Sequence, residues 1–299
     1  MTARGPLRSL LFVPGDSERK QTKALNSGAD ALILDLEDSV APAQLPAARA
    51  QVRQFLMAPD PGPQRWVRVN GPASGLLVDD VAAVIAARPD GIMLPKVSSI
   101  SEVGQAAQRV GELEAQAGIE VGSTPFIVIA TETPQALLKL ADYTAGAPGL
   151  ERLTALTWGM EDLSAAIGAL AKTAADGSLT PVFELARSLC LVAAAAAAVQ
   201  AIDGVHADFR DTAGLTREVA RARRDGFTAK LAIHPDQVPV INAAFSPTPE
   251  EVERARRVVA AFAAAPGTGV TSLDGQMLDR PHLVLAQRVL ALANRIGKL

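Results

Sequence analysis

Short apolar runs alternate with longer amphipathic segments along most of the chain. Eight runs rich in Leu, Ile, Val and Ala are predicted to be β-strands: 9–13, 31–36, 65–69, 91–95, 125–130, 153–158, 201–206 and 229–233. Between them, apolar residues recur at helical spacing, which predicts helices at 18–27, 45–57, 78–87, 101–118, 133–141, 183–198 and 215–225. This alternation is typical of βαβ units on a parallel sheet.

Eight strands filling about 230 residues predict a sheet that closes on itself, the (β/α)8 or TIM barrel. An open doubly wound sheet is the alternative, but no G-x-G-x-x-G follows the first strand, where a dinucleotide fold needs it. Further helices are predicted at 250–264 and 283–296, beyond what a barrel requires. We therefore predict a catalytic barrel over residues 1–245. A C-terminal helical extension over 246–299 would contribute to a subunit interface or cover the active site.

Composition narrows the class of protein. Hydrophobic residues make up 48% of the chain and aromatic residues 4%, so the core is predicted to be aliphatic. The net charge of −3 argues against a nucleic-acid partner. Cys190 is the single cysteine, which excludes an intramolecular disulfide and a cysteine-rich zinc site. No apolar stretch is long enough to cross a bilayer and no leader pattern is present, so we expect a cytoplasmic location and no membrane partner.

Polar side chains stand where six of the predicted strands end. In parallel barrels the carboxyl ends of the strands meet at one rim, and the chemistry of the fold collects there. Six polar groups at one rim therefore predict an active site. They are, in strand order, Asp35, Glu37 and Asp38; Arg68 and Asn70; Lys96; Glu132; Glu161 and Asp162; and His234.

Two of these groups suggest a metal site. Glu132 and Asp162 follow adjacent strands, so their carboxylates can converge, and carboxylate oxygens suit hard divalent cations. The alternative is that each acid caps the helix that follows it. Spacing alone leaves both interpretations open.

The basic residues at this rim also have two interpretations. Arg68 has the planar donor geometry that binds a substrate carboxylate, or it forms a buried ion pair with Glu37 or Asp38. The two roles are compatible, since the acids could orient the guanidinium. Lys96 is a candidate anion contact or a surface lysine.

Eight short stretches carry a family resemblance. They are 8–15 (RSLLFVPG), 35–40 (DLEDSV), 68–70 (RVN), 94–96 (LPK), 132–133 (ET), 159–163 (GMEDL), 233–235 (IHP) and 274–279 (DGQMLD). In this order they resemble the citrate lyase β-subunit-like branch of the HpcH/HpaI aldolase superfamily, also called CoA ester lyases. The likeness runs from residue 8 to about residue 290, nearly the whole chain.

The resemblance implies a (β/α)8 barrel that assembles as homotrimers or hexamers and binds Mg²⁺ or Mn²⁺. It implies that Glu132 and Asp162 are the metal ligands. Arg68 would bind the carboxylate of a 2-oxo acid and polarise the reacting carbonyl. Glu37 and Asp38 would hold Arg68 and metal-bound waters in place.

Further residues take roles from the same resemblance. Arg8, Lys96 and Gly159 would join Arg68 in binding the substrate or CoA. Asp279 ends a Gly-x-Met-hydrophobic-Asp pattern and would exchange the proton at the acyl-CoA α-carbon, in the active site of a neighbouring subunit.

The function implied is a Mg²⁺-dependent carbon–carbon lyase. It would cleave or form a 3-hydroxyacyl-CoA such as malyl-CoA, citramalyl-CoA or citryl-CoA, with an acyl-CoA and a 2-oxo acid as the other partners. One alternative is a citrate lyase β-subunit working on a citryl thioester held by an acyl-carrier subunit. Others are a CoA-independent aldolase for 4-hydroxy-2-oxo acids and a barrel that binds such ligands without chemistry.

Overall fold

Eight parallel strands close into a barrel in chain order in the computed structural model, which describes residues 7–59, 62–265, 267 and 269–297. β1 pairs with both β2 and β8, so the sheet has no free edge. The closed barrel confirms the predicted fold. The strands are β1 Ser9–Pro14, β2 Ala31–Asp35, β3 Gln64–Arg68, β4 Gly91–Leu94, β5 Phe126–Ile129, β6 Leu153–Thr157, β7 Gln200–Asp203 and β8 Ala229–Ala232.

Helices follow the strands on the outside of the barrel. Within the described residues no helix combines the length and the hydropathy needed to cross a membrane. The helices are α1 Glu18–Ala24, α2 Leu45–Met57, α3 Leu77–Val84, α4 Ile100–Gln116, α5 Pro134–Leu138, α6 Glu161–Ile167, α7 Pro181–Ala196, α8 Thr212–Asp225, α9 Val238–Phe245, α10 Pro249–Ala264 and α11 Arg280–Arg295.

Three elements are absent from the sequence prediction: α6, α9 and a hairpin of strands β9 (Val270–Leu273) and β10 (Gln276–Asp279). The two helices have seven and eight residues, too short for a clear helical period. The hairpin turns at Asp274 and Gly275, with φ of 51° and 76°. An Asp-Gly pair with positive φ at both positions is the usual two-residue hairpin turn, so this signal was present in the sequence.

Alternating strand residues build two apolar layers. Those that point inward fill the barrel, and those that point outward pack under the helices. Trp66 of β3 is the largest side chain in the inner cluster. Gly91 lies opposite it, and a Cβ there would approach the indole to 2.1 Å. Glycine in β4 therefore makes room for the ring that fills the barrel.

The segment after α9 has a small apolar cluster of its own. Ala255 and Val258 on α10 meet Leu278 on β10 and Ala286 on α11. An ion pair of 2.6 Å between Arg223 of α8 and Glu251 of α10 links this segment to the barrel. The division into domains over 1–245 and 246–299 stays a prediction, and the outer ends of both, 1–6 and 298–299, lie outside the described residues.

Candidate active site

A cavity of about 110 Å³ opens at the carboxyl ends of the strands, and we call it the mouth cavity. Acidic side chains and one arginine form part of its wall, while the rest is apolar. Its lining residues are Phe12, Asp38, Arg68, Ile129, Glu132, Trp158, Gly159, Met160, Glu161, Asp162, Gly204, Val205 and Leu231.

Arg68 is fixed at this cavity by Asp35. The two residues end β3 and β2 and are register partners, so their side chains share one face of the sheet. The Arg68 Nε and Nη2 groups donate to the two Asp35 carboxylate oxygens, each at 2.7 Å. Burial alone would raise the pKa of Asp35, but the hydrogen bonds and charge of Arg68 outweigh it and hold that pKa below its usual range. The ion pair is therefore charged and rigid.

Glu37 and Asp38 flank the other side of Arg68. Glu37 is buried, and its Oε2 lies 3.1 Å from Arg68 Nη1. Asp38 is half exposed, 3.7 Å from the same nitrogen. Burial, reinforced by the nearby Asp38 charge, raises the pKa of Glu37 even though Arg68 and Lys96 oppose the shift. The expected ion pair of Arg68 with these acids is present, but Asp35 makes the closer one.

Lys96 follows β4 in a left-handed backbone conformation, with φ of 55°. A non-glycine residue in this region costs about 1 kcal/mol, so the surroundings must hold it there. Its backbone N–H donates to Glu132 Oε2 at 2.5 Å. Its ammonium group contacts Glu37 at 2.5 Å, Asp38 at 2.7 Å and Asp162 at 3.5 Å. Lys96, which follows β4, thus joins acidic residues from three other strand ends, those of β2, β5 and β6.

Glu132 and Asp162 both line the mouth cavity. Glu132 is 5% exposed, and burial raises its pKa to about 8, with repulsion from Asp162 and Glu37 adding to the effect. Glu132 does not cap α5, because the N-cap is Thr133, whose hydroxyl accepts from the backbone N–H of Ala136. The helix-cap interpretation is therefore wrong for Glu132. Asp162 lies in the first turn of α6, where a carboxylate also favours the helix dipole.

The chemistry of these donors fits a hard divalent cation. Two carboxylates from adjacent strand ends lie close enough to repel each other, and this repulsion adds to the burial that raises the pKa of Glu132. Among the described residues no cluster of three or more His, Cys, Asp or Glu forms a complete metal cage. Mg²⁺ commonly takes one or two protein carboxylates and completes its shell with water and substrate oxygens. The pair is therefore sufficient for that ion.

Gly159 and Glu161 occupy different places on the same rim. A Cβ at Gly159 would lie 3.1 Å from Glu132 Cγ, so glycine gives the Glu132 side chain its room. Glu161 lines the cavity but its carboxylate pairs with Lys172. The two adjacent acids thus diverge, and Asp162 is the one that approaches Lys96.

Arg8 lies at the opposite rim from the mouth cavity. It immediately precedes β1 and binds Asp30, which precedes β2, through Nε at 2.9 Å and Nη2 at 2.7 Å. Its Nη1 donates to Ser246 at 2.8 Å. The prediction that Arg8 binds CoA does not fit this position, because the amino ends of the strands face away from the site. Arg8 instead links β1 to Asp30 and Ser246 at the amino end of the barrel.

Asp279 is the last residue of β10 and the N-cap of α11. Its carboxylate lies 2.5 Å from His282 Nδ1 and is 42% exposed. It does not line the mouth cavity, and all lining residues fall between Phe12 and Leu231. The chain's own extension therefore supplies no side chain to its own cavity among the described residues.

Sequence reasoning missed the support behind one cavity wall. The Trp158 Nε1 group donates to Asp203 at 2.7 Å. Asp203 is buried and also binds Lys230 at 3.0 Å and Arg187 at 3.1 Å. These partners lie on β7, β8 and α7, and no spacing in the sequence brings them together.

Comparison with known proteins gives a consistent match. Residues 8–235 match the model of the HpcH/HpaI aldolase/citrate lyase family. A (3S)-malyl-CoA thioesterase of Cereibacter sphaeroides is 38% identical, over 98% of this chain and 96% of its own. The mitochondrial citramalyl-CoA lyase of Homo sapiens is 35% identical, over 97% of this chain and 86% of its own.

A solved structure extends the match to three dimensions. The CitE protein of Mycobacterium tuberculosis, in complex with magnesium, acetoacetate and coenzyme A, superposes with a TM-score of 0.77. It is 33% identical, and the match covers 99% of this chain and 100% of that one.

Proposed function

The chain belongs to the HpcH/HpaI aldolase/citrate lyase family of carbon–carbon lyases, and from this premise we propose that it cleaves or forms a 3-hydroxyacyl-CoA with the help of Mg²⁺. Cleavage yields an acyl-CoA and a 2-oxo acid, and condensation consumes the same two compounds. The observation that carries this proposal is one cavity that holds Glu132 and Asp162 beside Arg68. Magnesium and coenzyme A occur together in the solved CitE relative, which supports the same ligands here.

Glu132 and Asp162 are the residues that would hold the cation. When bound, Mg²⁺ supplies Lewis-acid stabilisation of the charge that develops on the carbonyl oxygen of the oxo acid. The Lys96 backbone N–H holds Glu132 in place through its 2.5 Å hydrogen bond.

Arg68 would bind the carboxylate of the 2-oxo acid. Asp35 uses two of the five guanidinium donors, and the remaining donors lie on Nη1 and Nη2. Arg68 lines the cavity, so this edge can take a substrate carboxylate. Glu37 and Asp38 then keep the guanidinium from turning toward solvent.

In the cleavage direction the substrate hydroxyl passes its proton to solvent water and the carbon–carbon bond breaks. The bond electrons move to the α-carbon of the thioester as an enolate, and the 2-oxo acid forms. We propose that Asp279 protonates that carbon, and that it removes the same proton in the condensation direction.

This role requires Asp279 to act in the cavity of a neighbouring subunit, since it does not line its own. We therefore propose a homotrimer or hexamer in which the extension of one subunit completes the site of another. The Asp279 carboxylate is paired with His282 but is partly exposed, so it is accessible to the site of another subunit.

A second candidate is thioester hydrolysis. The relatives at 36–38% identity include four named (3S)-malyl-CoA thioesterase. Hydrolysis would leave the carbon–carbon bond intact and release free CoA thiol. The two reactions share a substrate and differ in their products.

The deciding experiment measures products from malyl-CoA, citramalyl-CoA and citryl-CoA, each with Mg²⁺ and with EDTA. We expect a 2-oxo acid and an equal amount of acyl-CoA, formed only when the metal is present. Free thiol without oxo acid would support the thioesterase, and turnover that resists EDTA would contradict the metal assignment. If none of the three reacts while Mg²⁺ binds, a carrier-bound thioester or a CoA-free aldol substrate replaces the proposal.

A further inference from the structure

Trp158 forms a buried part of the mouth-cavity wall and directly follows β6. Thr157 and Ile202 are register partners, so Trp158 lies beside Asp203 at the end of β7. The indole Nε1 group donates to Asp203 Oδ1 at 2.7 Å. A Cβ on Gly204, which also lines the cavity, would lie 3.3 Å from Nε1. The end of β7 therefore packs closely against the indole and accepts its hydrogen bond.

Two cations keep the Asp203 carboxylate charged. Lys230 on β8, its register partner, lies 3.0 Å from Oδ2, and Arg187 on α7 lies 3.1 Å from Oδ1. Burial alone would raise the pKa of Asp203, but these charges and the indole hydrogen bond outweigh it and hold that pKa below its usual range. The three residues are between 2% and 4% exposed, so little water screens their contacts.

Stability alone does not account for a charged cluster behind this wall. Replacing a buried ion pair by apolar side chains of similar volume is often neutral or stabilising. A neutral acceptor would also satisfy an indole N–H group. A hydrogen bond to a carboxylate is shorter and roughly twice as strong as one to a neutral acceptor. The charge of Asp203 therefore fixes the orientation of the Trp158 ring more firmly than packing requires.

The metal pair is held by a separate contact. Gly159 follows Trp158, and its N–H donates to the Thr131 hydroxyl at 3.1 Å, while this hydroxyl donates to the Gly159 carbonyl oxygen at 3.2 Å. Thr131 directly precedes Glu132. The end of β6 is thus held from β5 through the Gly159 backbone and from β7 through the indole. Because the β5 contact does not involve the indole, a loosened Trp158 should leave Mg²⁺ affinity nearly unchanged.

We infer that Asp203 is a positioning residue for the reaction in the mouth cavity, which it influences by holding the Trp158 indole against the substrate. This rests on the proposed function, in which the 2-oxo acid and the thioester carbon meet in that cavity. Asp203 does not itself line the cavity. A displaced indole lets the reacting carbons take unproductive positions, and a misplacement of about 1 Å costs on the order of a hundredfold in rate.

The two tryptophans of the chain provide a matched pair of variants. Trp66 lies inside the barrel and its Nε1 group donates to Gln64 at 2.9 Å, so Trp66→Phe also removes an indole hydrogen bond. We expect Trp158→Phe to lower kcat about 10- to 100-fold, with KM and Mg²⁺ affinity changed less than about threefold. Trp66→Phe should leave kcat within about threefold of the wild type. Equal losses of kcat in the two variants overturn the inference.

Asp203→Asn tests whether the carboxylate is what holds the ring. In a Trp66→Phe background Trp158 is the only tryptophan, so the decay of its fluorescence anisotropy reports motion of the indole. We expect Asp203→Asn to add a fast component to this decay and to lower kcat about 10- to 100-fold. Combined with Trp158→Phe, it should cause little further loss, because both changes break one contact. An unchanged decay, or losses that multiply in the double variant, overturn the inference.

A third measurement applies if Asp203→Asn does not fold. Benzothienylalanine in place of Trp158, in the Trp66→Phe background, keeps the size of the ring and replaces the N–H group by sulfur. It leaves Asp203 with Lys230 and Arg187. We expect the same loss of kcat, and an unchanged kcat overturns the inference. Lack of turnover in the wild-type protein would count against the proposed function instead, whereas the anisotropy decay tests the hold of Asp203 on Trp158 without turnover.

Discussion

The Arg68 guanidinium and the Asp35 carboxylate are joined by two hydrogen bonds of 2.7 Å across the ends of β3 and β2. Asp35 is itself fixed, because its oxygens accept from the backbone N–H groups of Glu37 and Ser39. The orientation of the proposed substrate-binding arginine is therefore set by a residue that does not line the mouth cavity.

Replacing Asp35 by asparagine should loosen Arg68 without removing it. One charge-assisted acceptor becomes an amide, a loss of about 1.5–3 kcal/mol, so kcat/KM should fall roughly 10- to 150-fold. Mg²⁺ affinity measured by calorimetry should change little. Asp30→Asn is a matched control, because Asp30 makes a similar two-bond pair with Arg8 at the opposite rim. An equal loss of kcat/KM in both variants would show that the effect is general destabilisation.

Removing Asp162 should abolish Mg²⁺ binding and turnover together. Asp162→Ala halves the charge of the proposed pair and leaves as the remaining proposed ligand Glu132, whose pKa is raised to about 8 by burial. Calorimetry with Mg²⁺ and product assays check both losses. Glu161→Gln changes the neighbouring acid, whose carboxylate pairs with Lys172, and should keep the metal. Full activity of Asp162→Ala after metal removal would contradict the metal mechanism.

Asp279→Asn should retain Mg²⁺ binding and lose exchange of the α-proton of the acyl-CoA, measured by deuterium incorporation. If the acid acts across subunits, mixing this variant with Asp162→Ala during reassembly should restore activity. Random mixing places an intact Asp279 beside an intact Asp162 in about a quarter of the sites. Mixed oligomers that form without recovering activity would contradict the action of Asp279 across subunits.

The fully buried ion pair of Glu114 and Arg152 predicts how stability depends on pH. Burial alone would raise the pKa of Glu114, but hydrogen bonds from Arg152 and Thr124 lower it from 4.5 to about 2. The folded pKa lies below the unfolded one, so this stabilisation is complete above about pH 4.5 and is lost as the pH falls toward 2. Urea unfolding at a series of pH values should show the free energy of unfolding falling over this acidic range, which we call the acid limb.

Glu114→Gln should flatten that limb and lower the free energy of unfolding at pH 7 by about 3–5 kcal/mol, because Arg152 stays buried without a counter-charge. Glu112→Gln on the same helix removes an exposed pair with Arg109 at 3.0 Å. Its effect should be below about 1 kcal/mol. An unchanged acid limb in Glu114→Gln would contradict the assignment.

The fold could be predicted because apolar strands and amphipathic helices alternate regularly along the sequence. Buried parallel strands are continuous apolar runs, and amphipathic helices separate them, so all eight strands could be placed. The prediction fails where an element is short or exposed, as in α6, α9 and the β9–β10 hairpin. In those segments tertiary packing, rather than an apolar period, decides the conformation.

The site was predictable where a residue follows a strand, and less so elsewhere. Glu132 and Lys96 belong to that class, and the structure brings them together. The pair of hydrogen bonds between Arg68 and Asp35 depends on the register of β2 and β3, which cannot be read from the sequence. The role of Arg8 came only from the family resemblance, and the resemblance does not show that Arg8 precedes β1, at the rim opposite the mouth cavity.

The extension of α10, β9, β10 and α11 has a buried cluster of four residues, against a core of dozens in the barrel. We expect two cores of such unequal size to unfold as two separate cooperative units. Heating should therefore abolish proton transfer by Asp279 before the barrel itself unfolds. At such a temperature the protein would still bind its metal and oxo acid but would no longer turn over. Adding those ligands would raise the midpoint temperature of only the upper of the two unfolding transitions.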